Sequence, residues 1–444
     1  MLVCCGLFFC SQSILFVKTA DAQSIIRDTE IELTLNSFLK PVLEQASING
    51  RKVDIKIVDS MDINAFVAGG HNIFFYTGLL LETENPEELI GVMAHETSHI
   101  SLGHLIRLRE AMEHASAQSV LASVLGIMAA IGTGKPEAAA AVSMGGQSMA
   151  MRQFLSHTRI QESSADQSAV KYLQSIHVPL TGMLSFMQKL ESQELLPSSQ
   201  QSKYIRTHPL TQDRISFLEH AVETMKVSDS QVPAIWNEWH KRMQAKLTGF
   251  LFPDKALRLK GDSIASIYAR SIAYYRKNEI KKSLSLLELL LEKEPDNPYF
   301  YELKAQVLLE SGRVSESIPF YKRAVSLLPE AGLIRVSLAH ALLEAHPKKE
   351  KEFLEIITHL KTAEKTENRS PRLQRLLATA YGRIDKEGLS RVHLAEEALL
   401  QNRLQDANKQ AHLALGHLEE GSASWLRVHD LLRAMAVQQT QKKH

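Results

Sequence analysis

The 444 residues of this chain exceed what one ordinary hydrophobic core holds, which points to two or three domains. Apolar residues make up 44% and charged residues 23%, a globular composition that excludes wholesale disorder. A formal net charge of +1 supplies no bulk attraction for nucleic acid, and no nucleic-acid partner is expected.

The chain begins MLVCCGLFFCSQSILFVKTADAQS, whose first 17 residues are mostly apolar and nearly uncharged. Ala20-Asp21-Ala22 is a small-x-small cleavage pattern ahead of Gln23, so residues 1–22 read as a secretory signal peptide. No Lys or Arg precedes the apolar run, which is atypical; a retained anchor and a lipoprotein are the competing readings. Cys4, Cys5 and Cys10 all lie in this segment, so cleavage leaves a mature chain without thiols. Any metal site must then use histidine and carboxylate ligands.

Residues 25–50 carry apolar positions at helical spacing and end at Asn49-Gly50. KVDIKIVDS (52–60) alternates as a half-buried strand should. NAFVAGGHNIFFYTGLL (64–80) predicts two short strands about Gly69-Gly70, leading into a helix. Pro86, Glu87 and Glu88 open a helix predicted over 86–109. The Ala/Met/Gly-rich tract 118–154 follows. Its apolar run, Val120 to Ile131, falls short of the roughly 20 residues a spanning helix needs. It reads as a helical hairpin broken at GTGKP and lying as a lid over a neighbouring site, with peripheral membrane contact second and full spanning third. Helices are predicted over 158–176, 180–193 and 213–224, with 196–214 mostly loop.

From about residue 260 the pattern is an all-helical repeat. Glu294-Pro295 and Leu328-Pro329 lie 34 residues apart, the tetratricopeptide period. In that register Asn278 aligns with Gly312, Ile280 with Val314, Ser283 with Ser317 and Leu290 with Ala324. The pattern continues less strictly through 333–364 and recurs at 394–415 with Asn402 in the turn, which predicts four helix pairs and a capping helix. Aromatic residues such as Tyr268, Tyr274, Tyr275, Tyr299, Phe300 and Tyr321 are expected mainly in the repeat core.

The chemistry gathers in MAHETSHISLGH (93–104). On a helix, residues four apart lie about 40° apart around the axis, so His95 and His99 can share one ion. Glu96 is rotated about 100° from His95 and sits beside that ion, where a general base for metal-bound water belongs. His104 is rotated about 140° from His99 on a continuing helix and leaves the ligand face. A third ligand is then sought elsewhere. RIQESSADQSAV offers Glu162 and Asp166, four apart on a predicted helix; one carboxylate could bind metal while the other orients a ligand histidine.

HETSH followed by ESSAD, and preceded by NAFVAGGHNIFFYTGLL, resembles the metallopeptidase family of the CAAX prenyl proteases and HtpX. Its signature, H-E-x-x-H plus E-x-x-A-D, is matched at His95, Glu96, His99, Glu162, Ala165 and Asp166. A signal peptide ahead and tetratricopeptide repeats behind make the chain similar to the BepA (YfgC) branch, periplasmic proteases and chaperones of outer-membrane protein assembly. The resemblance implies one Zn2+ on His95, His99 and Glu162, with Glu96 as general base and Asp166 supporting a ligand. It also likens THPLTQDR (207–214) to the branch's His-Pro loop: His208 would be a reversible fourth zinc ligand, and Arg214 would place the loop or stabilise oxyanion charge. Asn64, Ala65 and Phe66 would begin the edge to which a peptide substrate adds as a strand.

The expected architecture is mainly α. Residues 1–22 are the signal peptide, 23–250 an α+β zinc metallopeptidase domain with a small β-sheet, and 260–440 an all-α tetratricopeptide-repeat solenoid. The expected function is a periplasmic zinc endopeptidase acting on misassembled outer-membrane proteins, with the repeats recruiting clients or the outer-membrane assembly machinery. The alternatives are a periplasmic chaperone or assembly scaffold with a largely dormant zinc site, and a membrane-embedded protease using 118–154.

Overall fold

The computed structural model describes residues 24–48, 53–69, 71–104, 147–194, 201–224 and 231–441. The expected signal peptide, 1–22, lies outside them. So does most of the tract 118–154; its last eight positions are the beginning of a long helix.

Ile25 and Ile26 are not helical as expected but form β1, antiparallel to β2 (Asp54–Val58). Helix α1 (Thr29–Gln45) starts later because the Asp28 side chain accepts from the Ile31 amide and caps it. Strand β3 (Ala65–Ala68) and β4 (Asn72–Tyr76) pair antiparallel about Gly69, which takes the left-handed φ of +58°. The order is β1-β2-β4-β3, with β2 and β4 parallel and β3 at an edge. The 54–58 strand lacks clean alternation: Ile57 and Val58 are both buried, as a central strand requires.

Helix α2 (Thr77–Glu82) leads to α3 (Pro86–Ser101), capped by Asn85, whose side chain accepts from the Glu88 amide. Nearly every α3 residue is buried, because α4 (Gln147–Ser175) and α5 (Leu180–Glu194) pack on it. Two glycines permit the α3–α5 approach: a Cβ on Gly91 would lie 2.8 Å from the Met183 Cβ, and one on Gly182 would lie 2.5 Å from the Glu87 backbone. Helix α3 ends at Ser101, not near 109, because Gly103 turns the chain at φ +66°.

In the segment expected to be loop, Lys203–Thr207 form a helical turn, α6, ahead of α7 (Gln212–Thr224). Helix α8 (Ala234–Leu251), which the sequence reading did not single out, closes the first core: Trp236 packs on Phe38 and Gln244 donates to the carbonyls of Leu80 and Thr83. It also reaches the repeats. Lys246 lies 2.7 Å from Asp28 and 3.4 Å from Glu30; Arg242 bridges Glu30 and Glu294; the Tyr268 hydroxyl donates to Glu30. The start of α1 is thereby gripped by helices remote in sequence.

After the short α9 (Pro253–Leu257), ten helices follow among the described residues: α10 (Ile264–Arg276), α11 (Ile280–Lys293), α12 (Pro298–Glu310), α13 (Val314–Leu327), α14 (Gly332–Glu344), α15 (Glu350–Glu367), α16 (Pro371–Gly382), α17 (Glu387–Leu400), α18 (Leu404–Leu415) and α19 (Ala423–Gln441). That is one more than four pairs and a cap. Asn278, Gly312 and His346, 34 apart, all take positive φ in the turn inside a pair. Asp385 and Asn402, only 17 apart, also take positive φ and flank α17 on both sides, so the alternation breaks at α17. Ser283 and Ser317 are fully buried, small residues where paired helices press together. Tyr268, Phe300 and Tyr321 are core residues, whereas Tyr274, Tyr275 and Tyr299 are only partly covered. A cleft of about 910 Å³, lined by Arg27, Glu302, Tyr321, His340 and Arg372 among others, separates the start of α1 from the repeats.

Candidate metal centre

Helix α3 presents His95 and His99 on one face, with their Nε2 atoms 3.1 Å apart. Helix α4 brings Glu162 to the same point: Oε2 is 3.1 Å from His95 Nε2, and Oε1 is 3.5 Å from His99 Nε2. His208, at the end of α6, adds Nδ1, 3.3 Å from His95 Nε2 and 3.1 Å from Glu162 Oε2. Four donors bound at 2.0–2.1 Å to a tetrahedral ion stand about 3.3–3.4 Å from one another. The observed separations bracket that value, so His95, His99, Glu162 and His208 form a group able to hold a metal ion.

The surroundings favour a cation. Asp166 Oδ1 lies 2.9 Å from His95 Nδ1, on the ring's far side, where it sets the tautomer that leaves Nε2 for the ion. Burial opposes charge on His95, but the hydrogen bonds to Asp166 and Glu162 outweigh it and push the ring up to about 10. Of the two carboxylates left open by the sequence, Glu162 meets the ligand nitrogens and Asp166 meets a ligand's back. Arg214 holds Asp166 through both oxygens, at 2.6 and 2.9 Å, and donates to the Pro209 carbonyl at 2.8 Å. It thus ties the His-Pro loop to α4.

Glu96 is fully buried, and neither carboxylate oxygen has a hydrogen-bond partner. Burial lifts its carboxyl above the usual range, and His208 Nε2 lies 3.4 Å from one of its oxygens. A buried acceptor without a donor is costly unless something polar approaches it. Such a carboxylate could accept a proton from a water brought beside it.

His104 is not in the donor group, though for a different reason from the one expected. It lies beyond the helix end, where the Gly103 turn sets its Nδ1 2.9 Å from His99 Nδ1. It therefore supports His99 as Asp166 supports His95. Sequence reasoning also missed Tyr204, whose buried ring lies 4.7 Å from that of His208 and four positions before it on α6. No local signal marked it. Asn64 and Ala65 are buried at the start of β3, and Phe66 stacks on Phe74 at 4.8 Å.

A helical His-Glu-x-x-His, a carboxylate donor on a later helix and a small mixed sheet beside them are an arrangement suited to metal-dependent peptide hydrolysis. Residues 31–222 match the model of Peptidase family M48. The beta-barrel assembly-enhancing protease of Yersinia pestis is 26% identical over 302 residues, covering 65% of this chain and 60% of that protein. The protein of the same name from Escherichia coli (strain K12) is 23% identical over 331 residues, 72% and 66% of the two chains. Metalloprotease LoiP of that organism is 26% identical over 170 residues, 38% and 62%. The chain thus spans about 60 to 66% of the length of the assembly-enhancing proteases it matches.

Proposed function

We propose that the chain is a zinc endopeptidase of the cell envelope, with 1–22 as signal peptide, 23–250 as peptidase domain and 260–440 as a repeat domain for protein partners. The observation that carries this reading is the four-donor group with the unpartnered Glu96 carboxylate beside it. Three imidazole nitrogens and one carboxylate, with no thiolate, suit zinc. The relatives named beta-barrel assembly-enhancing protease extend the reading to substrates met during β-barrel assembly; a periplasmic location and a repeat domain that meets the outer-membrane assembly machinery complete the proposal. Among the described residues no helix is long and apolar enough to cross a membrane.

Zinc held there would polarise the scissile carbonyl and lower the pKa of a water. His95, His99 and Glu162 supply the permanent donors, and Asp166 keeps the His95 ring in register. With a metal bound, His208 would be a fourth donor at rest and would have to withdraw before substrate enters. Glu96 takes the proton of the attacking water and returns it to the leaving amine. Arg214 keeps Asp166 ionised and places the loop that carries His208. Substrate adds as a strand beside Asn64–Phe66.

The direct test is cleavage of β-casein by the full chain as purified, after chelation and after zinc is restored. Activity lost and regained in that order is expected; activity indifferent to chelation sinks the reading. His208→Ala is expected to raise casein cleavage about ten-fold or more, the inverse of the fraction of molecules in which His208 has withdrawn. Equal or lower activity at unchanged zinc content would remove the resting-ligand role.

A further inference from the structure

The short helix that ends in His208 is fastened to the strand edge that a substrate would use. In the antiparallel β3–β4 pair, the Tyr76 amide donates to the Asn64 carbonyl, so residues 64, 66 and 68 direct their backbone groups at β4. The backbone groups of Ile63, Ala65 and Val67 therefore face the outer edge, and no strand among the described residues pairs with it. The first rung of that edge is nevertheless taken: the Tyr204 amide donates to the Ile63 carbonyl at 3.0 Å. Two side-chain contacts flank it. Lys203 Nζ lies 2.7 Å from Asp62 Oδ2, and the Thr207 hydroxyl donates to Asn64 Oδ1 at 3.4 Å. His208 follows at once, with its own amide bonded to the Tyr204 carbonyl at 2.7 Å. Residues 62, 63 and 64 are thus each held by the turn that sets His208 in the donor group.

We infer that the outer edge of β3 has two mutually exclusive occupants at Ile63, the first turn of α6 and an extended polypeptide, so that a sufficiently long substrate withdraws His208. This rests on the peptidase reading above. A short peptide pairs with Ala65 and Val67 and leaves the Tyr204 amide in place. A longer one extends its pairing to the Ile63 carbonyl, displaces that amide, and unseats a turn whose Tyr204 and Ile205 side chains pack in the core and whose other polar contacts with residues 62–64 are one long hydroxyl bond and one half-exposed ion pair. Lys203, Tyr204 and Thr207 are positioning residues for His208. The enzyme is selective for long unfolded chains because length, and not side-chain identity, opens the centre.

The test uses the zinc-loaded full chain and two quenched fluorescent peptides cut from the β-casein sequence. One has about four residues, enough to span Ala65 to Val67 but not to reach Ile63, and one about fifteen. Wild type is expected to favour the long peptide in kcat/KM about ten-fold more strongly than His208→Ala does. Lys203→Ala/Thr207→Val is expected to raise the short-peptide rate about three- to ten-fold at unchanged zinc content. The same length preference in wild type and His208→Ala overturns the inference while leaving the peptidase reading intact. A His208→Ala protein that cleaves neither peptide overturns both. A second measurement does not depend on the latch variants folding. In cobalt-loaded Glu96→Gln protein, the long peptide is expected to change the visible spectrum as a histidine leaves, and the short one is not. A spectrum unmoved by saturating long peptide also overturns the inference.

Discussion

Glu96→Gln is expected to keep its metal and lose about 10²–10⁴-fold in kcat against β-casein, the usual contribution of a positioned acid–base group. The amide is close to isosteric, so the buried pocket around residue 96 is not reshaped, and none of the four donor atoms belongs to it. What disappears is the ability to accept a proton. In the parent, both carboxylate oxygens are buried without a hydrogen-bond partner, an arrangement that contributes nothing to stability. The variant is therefore expected to melt at or slightly above the parent temperature. Zinc analysis and a casein assay on one preparation decide the matter. Cleavage at the parent rate removes Glu96 from the mechanism; loss of zinc makes it a ligand or a ligand's support instead.

Arg214→Ala is expected to cost about 3–5 kcal/mol of stability, because removing one partner of a buried ion pair leaves the other charge uncompensated. The stranded group is Asp166, held by Arg214 through both oxygens and, like it, almost wholly buried. The consequence spreads to the centre. Asp166 orients His95 at 2.9 Å, and losing such support lowers metal affinity about 10–100-fold. Arg214→Lys is expected to recover only part of both effects, since one ammonium cannot reach Asp166 through two parallel bonds and also hold the Pro209 carbonyl. Urea midpoints and zinc titrations of the three proteins test this. An alanine variant as stable as the parent would show that Asp166 finds another cation or a proton.

The two predictions lean on different kinds of information. That His95 and His99 share a face while Glu96 stands beside it follows from helical periodicity, and the structure reproduces it on α3. The mistakes near this motif were also local. Gly103 is a helix-ending glycine, and the apolar period that runs on to 109 hides the helix end that leaves His104 beyond α3. Ile25 and Ile26 look helical in sequence and become a strand only because β2 offers them an edge. In the repeats, Asn278 and Gly312 were readable as turn residues because asparagine and glycine tolerate positive φ, whereas His346 does the same work without that signature.

By itself, the sequence determined the elements and their periods: the shared histidine face of one helix, the acidic pair on another, the 34-residue helical repeat. Each depends on residues within a few turns of one another, where backbone geometry leaves little choice. Only the tertiary structure decided which carboxylate turns to the ligand nitrogens, that His208 joins them from 113 positions away, and that Asp62, Ile63 and Asn64 hold the turn that carries it. Those arrangements depend on how buried helices cross and which polar groups must be satisfied once water is excluded. Burial at Asp166, Glu96 and His208 is set by the packing of α3, α4 and α7, and no local pattern records it.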